Sequence, residues 1–105
     1  MARKKTNRAA PDAAAATVVV MVLYITESGP NSVRAIANLE AICEEHLKDN
    51  FRLEIVDVLE YPRRALADGI VVTPSLAKVS PLPTATVVGN LSDKSELLRA
   101  LGIRG

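Results

Sequence analysis

The order of apolar and polar positions divides the chain into segments with two different periods. Thr17 to Ile25 is β-branched and continuously apolar, the pattern of a strand buried on both faces. Glu27 to Pro30 breaks it. Val33, Ile36, Leu39, Cys43 and Leu47 then recur at helical spacing, with Asn31 or Ser32 as the expected cap and Lys48-Asp49-Asn50 as the expected end. Phe51 to Val58 alternates as a second strand, and a strand–helix–strand order implies a parallel pair. Pro62 suits the first turn of a short helix that runs through Asp68 and closes at Gly69. Ser75 to Val79 and Thr84 to Val88 read as two further strands joined by a turn at Pro81-Leu82-Pro83. Gly89-Asn90 ends the fourth strand. Ser92 is the expected cap of a last helix carrying Leu97, Leu98, Leu101 and Ile103, with Gly102 near its end.

The resulting string is β-α-β-α-β-β-α, an α/β sheet with helices on both faces, and its order is that of thioredoxin-like domains. In thioredoxins a Cys-Gly-Pro-Cys motif lies between the first strand and its helix. Here the same place reads Ser28-Gly29-Pro30-Asn31. Disulfide exchange needs a low-pKa thiolate at the helix start and a second thiol to resolve the mixed disulfide. Both are missing, so redox catalysis is excluded. Val72-Thr73-Pro74-Ser75-Leu76 resembles the thioredoxin cis-proline segment, which makes Pro74 a candidate cis residue.

Composition narrows the function further. The 105 residues suit a single domain, with 49% hydrophobic residues to build its core. Residues 1–16 are Ala-rich, basic and aperiodic, and read as a disordered tail ahead of a domain at 17–105. The tail holds Arg3, Lys4, Lys5 and Arg8 against Asp12, a net charge of +3; the rest carries −2. A nucleic-acid surface on the folded part is therefore unsupported, and three aromatics (Tyr24, Phe51, Tyr61) offer few stacking platforms. Pro11 and Asp12 interrupt any secretory signal. No apolar run is long enough to span a bilayer, and a lone cysteine fits the cytoplasm.

Candidate chemistry is sparse. Cys43 and His46 stand one helical turn apart, but two ligands without further partners make no metal cage. Cys43 belongs to the apolar stripe, and His46 is expected in solvent near the helix end. Asp57 closes the second strand without a base or a Gly-rich phosphate loop beside it. No cofactor, metal or catalytic residue is expected, and the chain is read as no enzyme.

A set of short stretches, in order, resembles the KaiB family. They are Leu23-Tyr24-Ile25, Pro30-Asn31-Ser32-Val33-Arg34-Ala35, Val56-Asp57-Val58, Pro62, Thr73-Pro74-Ser75-Leu76-Ala77-Lys78-Val79 and Gly89-Asn90-Leu91-Ser92. The resemblance implies a non-enzymatic protein that binds the ring-shaped ATPase KaiC and modulates its phosphorylation cycle, in competition with a histidine kinase of the same system. It also implies two interchangeable folds. One is a tetrameric ground state of order β-α-β-β-α-α-β, and the other is a monomeric thioredoxin-like state that binds KaiC. The implied docking surface is the first helix and second strand, with Arg34, Arg52 and Glu54 as candidate contacts. Arg34 matches the family best, whereas Arg52 and Glu54 depart from the small and basic residues of clock members. Pro74, Pro81, Pro83 and Gly89 are the candidate structural and fold-switch positions. Thr84-Ala85-Thr86 replaces a basic pair usual in the family, which points to a relative of the core clock protein. The competing expectation is a redox-inactive thioredoxin-like adaptor or stress-related chaperone.

Local propensity selects between the two folds. Thr84, Thr86, Val87 and Val88 favour strand, while Ser92 to Leu101 combines a cap, Asp93 in the first turn and leucines on one face. The thioredoxin-like fold, as a monomer, is therefore the expected resting state.

Overall fold

The computed structural model describes residues 18–26 and 29–103. Ser28 and the tail at 1–16 lie outside the described residues. The elements are β1 (Val19–Ile25), α1 (Pro30–Ile42) continued by a π-helical turn (Cys43–Leu47), β2 (Phe51–Asp57), α2 (Pro62–Ala67), β3 (Ser75–Ser80), β4 (Ala85–Val88) and α3 (Lys94–Leu101). The four strands form one sheet in the order β2-β1-β3-β4. β1 pairs parallel with β2, from Val19 opposite Phe51 to Ile25 opposite Asp57. The remaining pairs, β1 with β3 and β3 with β4, are antiparallel. This is the thioredoxin-like order, with strand at Ala85–Val88 and helix at Lys94–Leu101, as the β-branched run and the leucine face predict.

β1 is central, and its side chains feed both layers. Val19, Met21 and Leu23 join Leu39, Ile42 and Cys43 of the first helix and Leu97 and Leu101 of α3 in the larger core. Val22 and Tyr24 turn to the opposite face, where Val56, Ala65 and Ile70 complete a smaller one. Strand alternation separates these two sets, which is why β1 reads as continuously apolar.

Local details differ from the sequence expectations at four places. Neither Asn31 nor Ser32 caps α1: Gly29 is the cap residue and Pro30 takes the first helical position. Ser32 is instead buried, and its Oγ accepts from the Thr26 N–H at 3.4 Å, tying the helix to the end of β1. Val33 is not on the core stripe but 54% exposed; Ala35 takes its place. At α3 the cap is Asp93, not Ser92, because the Asp93 carboxylate accepts from the Glu96 N–H at 3.0 Å. His46 is not solvated. Its side chain is 20% exposed, and its buried Nε2 finds no hydrogen-bond partner.

The sheet also buries a cation that the pattern did not mark. Lys78, 5% exposed, lies opposite Met21 and therefore faces the larger core. Its Nζ is 3.8 Å from where a Cβ on Gly102 would stand. Gly102 has φ +78° and closes α3, so the ammonium sits at the helix C-terminus, where the peptide dipoles favour positive charge.

Candidate functional site

The first helix and the edge strand β2 leave a groove between them. Glu40, Ala41 and Glu44 form its helical wall, and Phe51, Leu53 and Ile55 form its floor, enclosing about 560 Å³. The floor follows from alternation: Phe51, Leu53 and Ile55 point to the helix-covered side of β2. Because β2 is at the edge, no described element beyond it covers Ile55, which remains 41% exposed. Helical periodicity extends the wall. Val33 stands in line with Glu40 and Glu44, and Arg34 in line with Ala37 and Ala41. All of these are exposed. The result is a continuous face with an apolar floor, an acidic rim and a cation at the start of the helix.

The candidate contacts do not all share this face. Arg34 is on it. Arg52 and Glu54 point to the opposite side of β2, toward α2, where Arg64 grips Glu54 through both guanidinium nitrogens, one at 2.7 Å. That ion pair holds the Glu54 carboxyl below the usual carboxylate range. Nearby, the buried Tyr24 hydroxyl donates to the Asp68 carboxylate. Burial and this anionic acceptor push the phenol up to about 12. Asp57 accepts from the Leu59 N–H at 2.8 Å and so shapes the turn after β2.

The structural candidates fall into two groups. Pro74 and Gly89 meet, since the Gly89 N–H donates to the Pro74 carbonyl at 2.9 Å. Gly89 has φ +112°, a conformation L side chains rarely adopt. The Thr73–Pro74 peptide is cis, and the Thr26 and Thr73 hydroxyls pair beside it at 2.6 Å. Pro81 and Pro83, both after cis peptides, form the separate β3–β4 turn.

Sequence reasoning missed Val33, Ala37, Ala41 and Ile55 as surface positions. The available signal was an apolar residue one step off the stripe set by Ala35, Leu39 and Ile42. Cys43 is buried in the larger core, and burial raises its thiol to about 11, far from a reactive thiolate. Among the described residues, no group of three or more His, Cys, Asp or Glu side chains is placed to hold a metal ion. No described helix is long and apolar enough to cross a membrane.

Known proteins share this arrangement. The chain resembles the N-terminal domain of SasA from Synechococcus elongatus, with a TM-score of 0.69, 20% identity, and coverage of 96% of this chain and 94% of that one. It also resembles mitochondrial thioredoxin 3 of Saccharomyces cerevisiae, with a TM-score of 0.67, 11% identity, and coverage of 82% and 78%. Both likenesses concern the fold. Sequence relatives are closer. The circadian clock protein KaiB3 of Synechocystis sp. is 44% identical over 85 residues, covering 81% of this chain and 83% of that protein. The circadian clock oscillator protein KaiB of Microcystis aeruginosa is 42% identical over 84 residues, covering 80% and 81%. The family described as KaiB domain matches residues 22–103. With that match over most of the chain, on a thioredoxin-like sheet whose first helix begins without either thiol of the redox motif, the chain belongs to the KaiB family.

Proposed function

We propose that the chain is a non-enzymatic cytoplasmic module of a clock-type system. It docks the α1–β2 face on a KaiC-type ring ATPase and modulates that enzyme's phosphorylation cycle, in competition with a histidine kinase for the same ring. The observation that carries this reading is the uncovered face itself. Val33 and Ile55 are large apolar residues left exposed, and Arg34 is exposed next to Val33, on the two elements the family resemblance marks for docking. An apolar floor with a charged rim is suited to a protein partner, where contact excludes water from the floor and the rim sets orientation. The binding-competent form is the monomer, and exchange with a tetrameric ground-state fold belongs to the same proposal.

A titration with a KaiC-type ATPase in ATP tests it. Arg34 is exposed, so Arg34→Glu is expected to leave the circular dichroism unchanged while weakening binding about tenfold or more. Unchanged affinity in a folded variant removes Arg34 from the interface, and absence of binding by the unaltered chain overturns the proposal.

A further inference from the structure

Among the described residues β2 is an edge strand, and its sequence is complementary to itself. The Val19 N–H donates to the Asn50 carbonyl at 3.1 Å, and the Val58 N–H donates to the Ile25 carbonyl at 2.9 Å. Even-numbered residues of β2 therefore turn their backbone groups to β1. By alternation, Phe51, Leu53 and Ile55 direct their N–H and C=O groups outward, and no described strand pairs with them. An edge of this kind is a template for another strand.

We infer that β2 pairs with β2 of a second copy of this chain, antiparallel, about a two-fold axis through Leu53. In that register Phe51 of each copy lies opposite Ile55 of the other, and Leu53 lies opposite its own equivalent. These are the outward-facing residues, so they exchange the ladder hydrogen bonds, while their side chains extend the apolar floor across the axis. Arg52 of each copy lies opposite Glu54 of the other. These pairs are the non-hydrogen-bonded ones, where opposed Cα atoms approach to about 4.5 Å and side chains meet most closely. Each Glu54 then sits between Arg64 of its own chain and Arg52 of the other.

Neighbouring registers fail for stated reasons. Centring the axis on residue 52 sets Arg52 against Arg52, and centring it on 54 sets Glu54 against Glu54. Like charges directly opposed destabilise a strand pair. Centring it between two residues faces outward-directed backbone groups with inward-directed ones. Among the central registers only Leu53 satisfies both backbone and charge. The interface is isologous, as a two-fold dimer requires. It is also small, and Glu40 and Glu44 of both copies rim the same side, so the dimer is weak and dissociates on dilution. Its consequence rests on the proposed function: a second copy occupies the edge that a ring ATPase would use, and docking then releases monomers. The pairing itself does not depend on that function.

Light scattering or sedimentation over a dilution series from millimolar to micromolar tests the pairing without any ATPase. The unaltered chain is expected to pass from dimer to monomer. Arg52→Glu and Glu54→Arg each place like charges across both pairs, and each alone is expected to shift dissociation to about tenfold higher concentration or beyond. Arg52→Gln, which removes charge without reversing it, should shift it less. An equimolar mixture of R52E and E54R restores opposite charges across both pairs and should recover the dimer as a heterodimer. Circular dichroism verifies that these exposed substitutions leave the fold intact. A chain monomeric at millimolar concentration overturns the inference. So does a folded R52E as dimeric as the parent, or a mixture that stays monomeric.

Discussion

One face of the sheet is covered by α1, the π-helical turn and α3, and there Met21, Leu23, Leu39, Cys43, Leu76, Leu97 and Leu101 form a close apolar core. The other face is covered by α2, a helix of six residues that contributes Ala65 as its only buried side chain. The first face is held by area removed from water. The second adds polar fasteners, Tyr24 to Asp68 and Glu54 to Arg64, because so short a helix has too little apolar surface to hold itself. Between the two faces lies the β2 edge, with Arg34 on the α1 side of it and Arg52 and Glu54 on the α2 side. Apolar burial is therefore concentrated on one face, and the proposed docking surface lies on the outside of that same layer, along α1 and the edge of β2.

Paired truncations separate the two faces most strongly. Leu97 is fully buried in the larger core, and Leu97→Ala is expected to cost about 3 kcal/mol in denaturant unfolding. Ile70→Ala in the smaller core should cost about 2 kcal/mol, since a thin layer collapses more readily around the gap. Equal losses would show the second face to be as closely packed as the first.

Tyr24→Phe tests the buried fastener. It keeps the ring and removes the hydroxyl, and about 1 kcal/mol is expected because the exposed Asp68 regains water. The effect has a pH signature. The folded chain holds the Tyr24 proton more tightly than the unfolded chain, with a pKa of about 12 against 10. Its contribution is whole below pH 10 and is lost as pH rises toward 12. The parent should therefore lose more stability than Tyr24→Phe across that window; parallel curves would deny the hydrogen bond its role. The smallest effect is expected at the exposed ion pair, where Arg64→Met should change stability by about 0.5 kcal/mol or less. A loss of several kcal/mol would mean that α2 hangs chiefly on that pair.

Much of this was legible from residue order. The boundaries of β2, Pro62 at the start of α2, the Pro81–Pro83 turn and the strand-then-helix order after it followed from periodicity, β-branching and punctuation. The places where the structure departs from that order share a cause. Helical spacing admits two neighbouring rows and so puts Val33 on the core stripe, whereas only the position of β2 decides which row is covered. Ser32 has the chemistry of a cap, yet Pro30 starts the helix earlier and leaves the hydroxyl facing Thr26. His46 reads as solvated because nothing in its sequence neighbourhood shows what packs above it.

The chain's own pattern therefore determined element order, the parallel β1–β2 pair, the β3–β4 hairpin and the absence of the redox thiols, since each depends on an element and the connection that follows it. The split of β1 between two cores, the burial of Lys78 beneath the end of α3 and the separation of Arg34 from Arg52 and Glu54 were decided by tertiary structure. Each of these depends on which element lies across the sheet, through contacts between residues far apart in the chain. Periodicity names the faces of an element, and packing alone determines which of them meets another element and which is left to water.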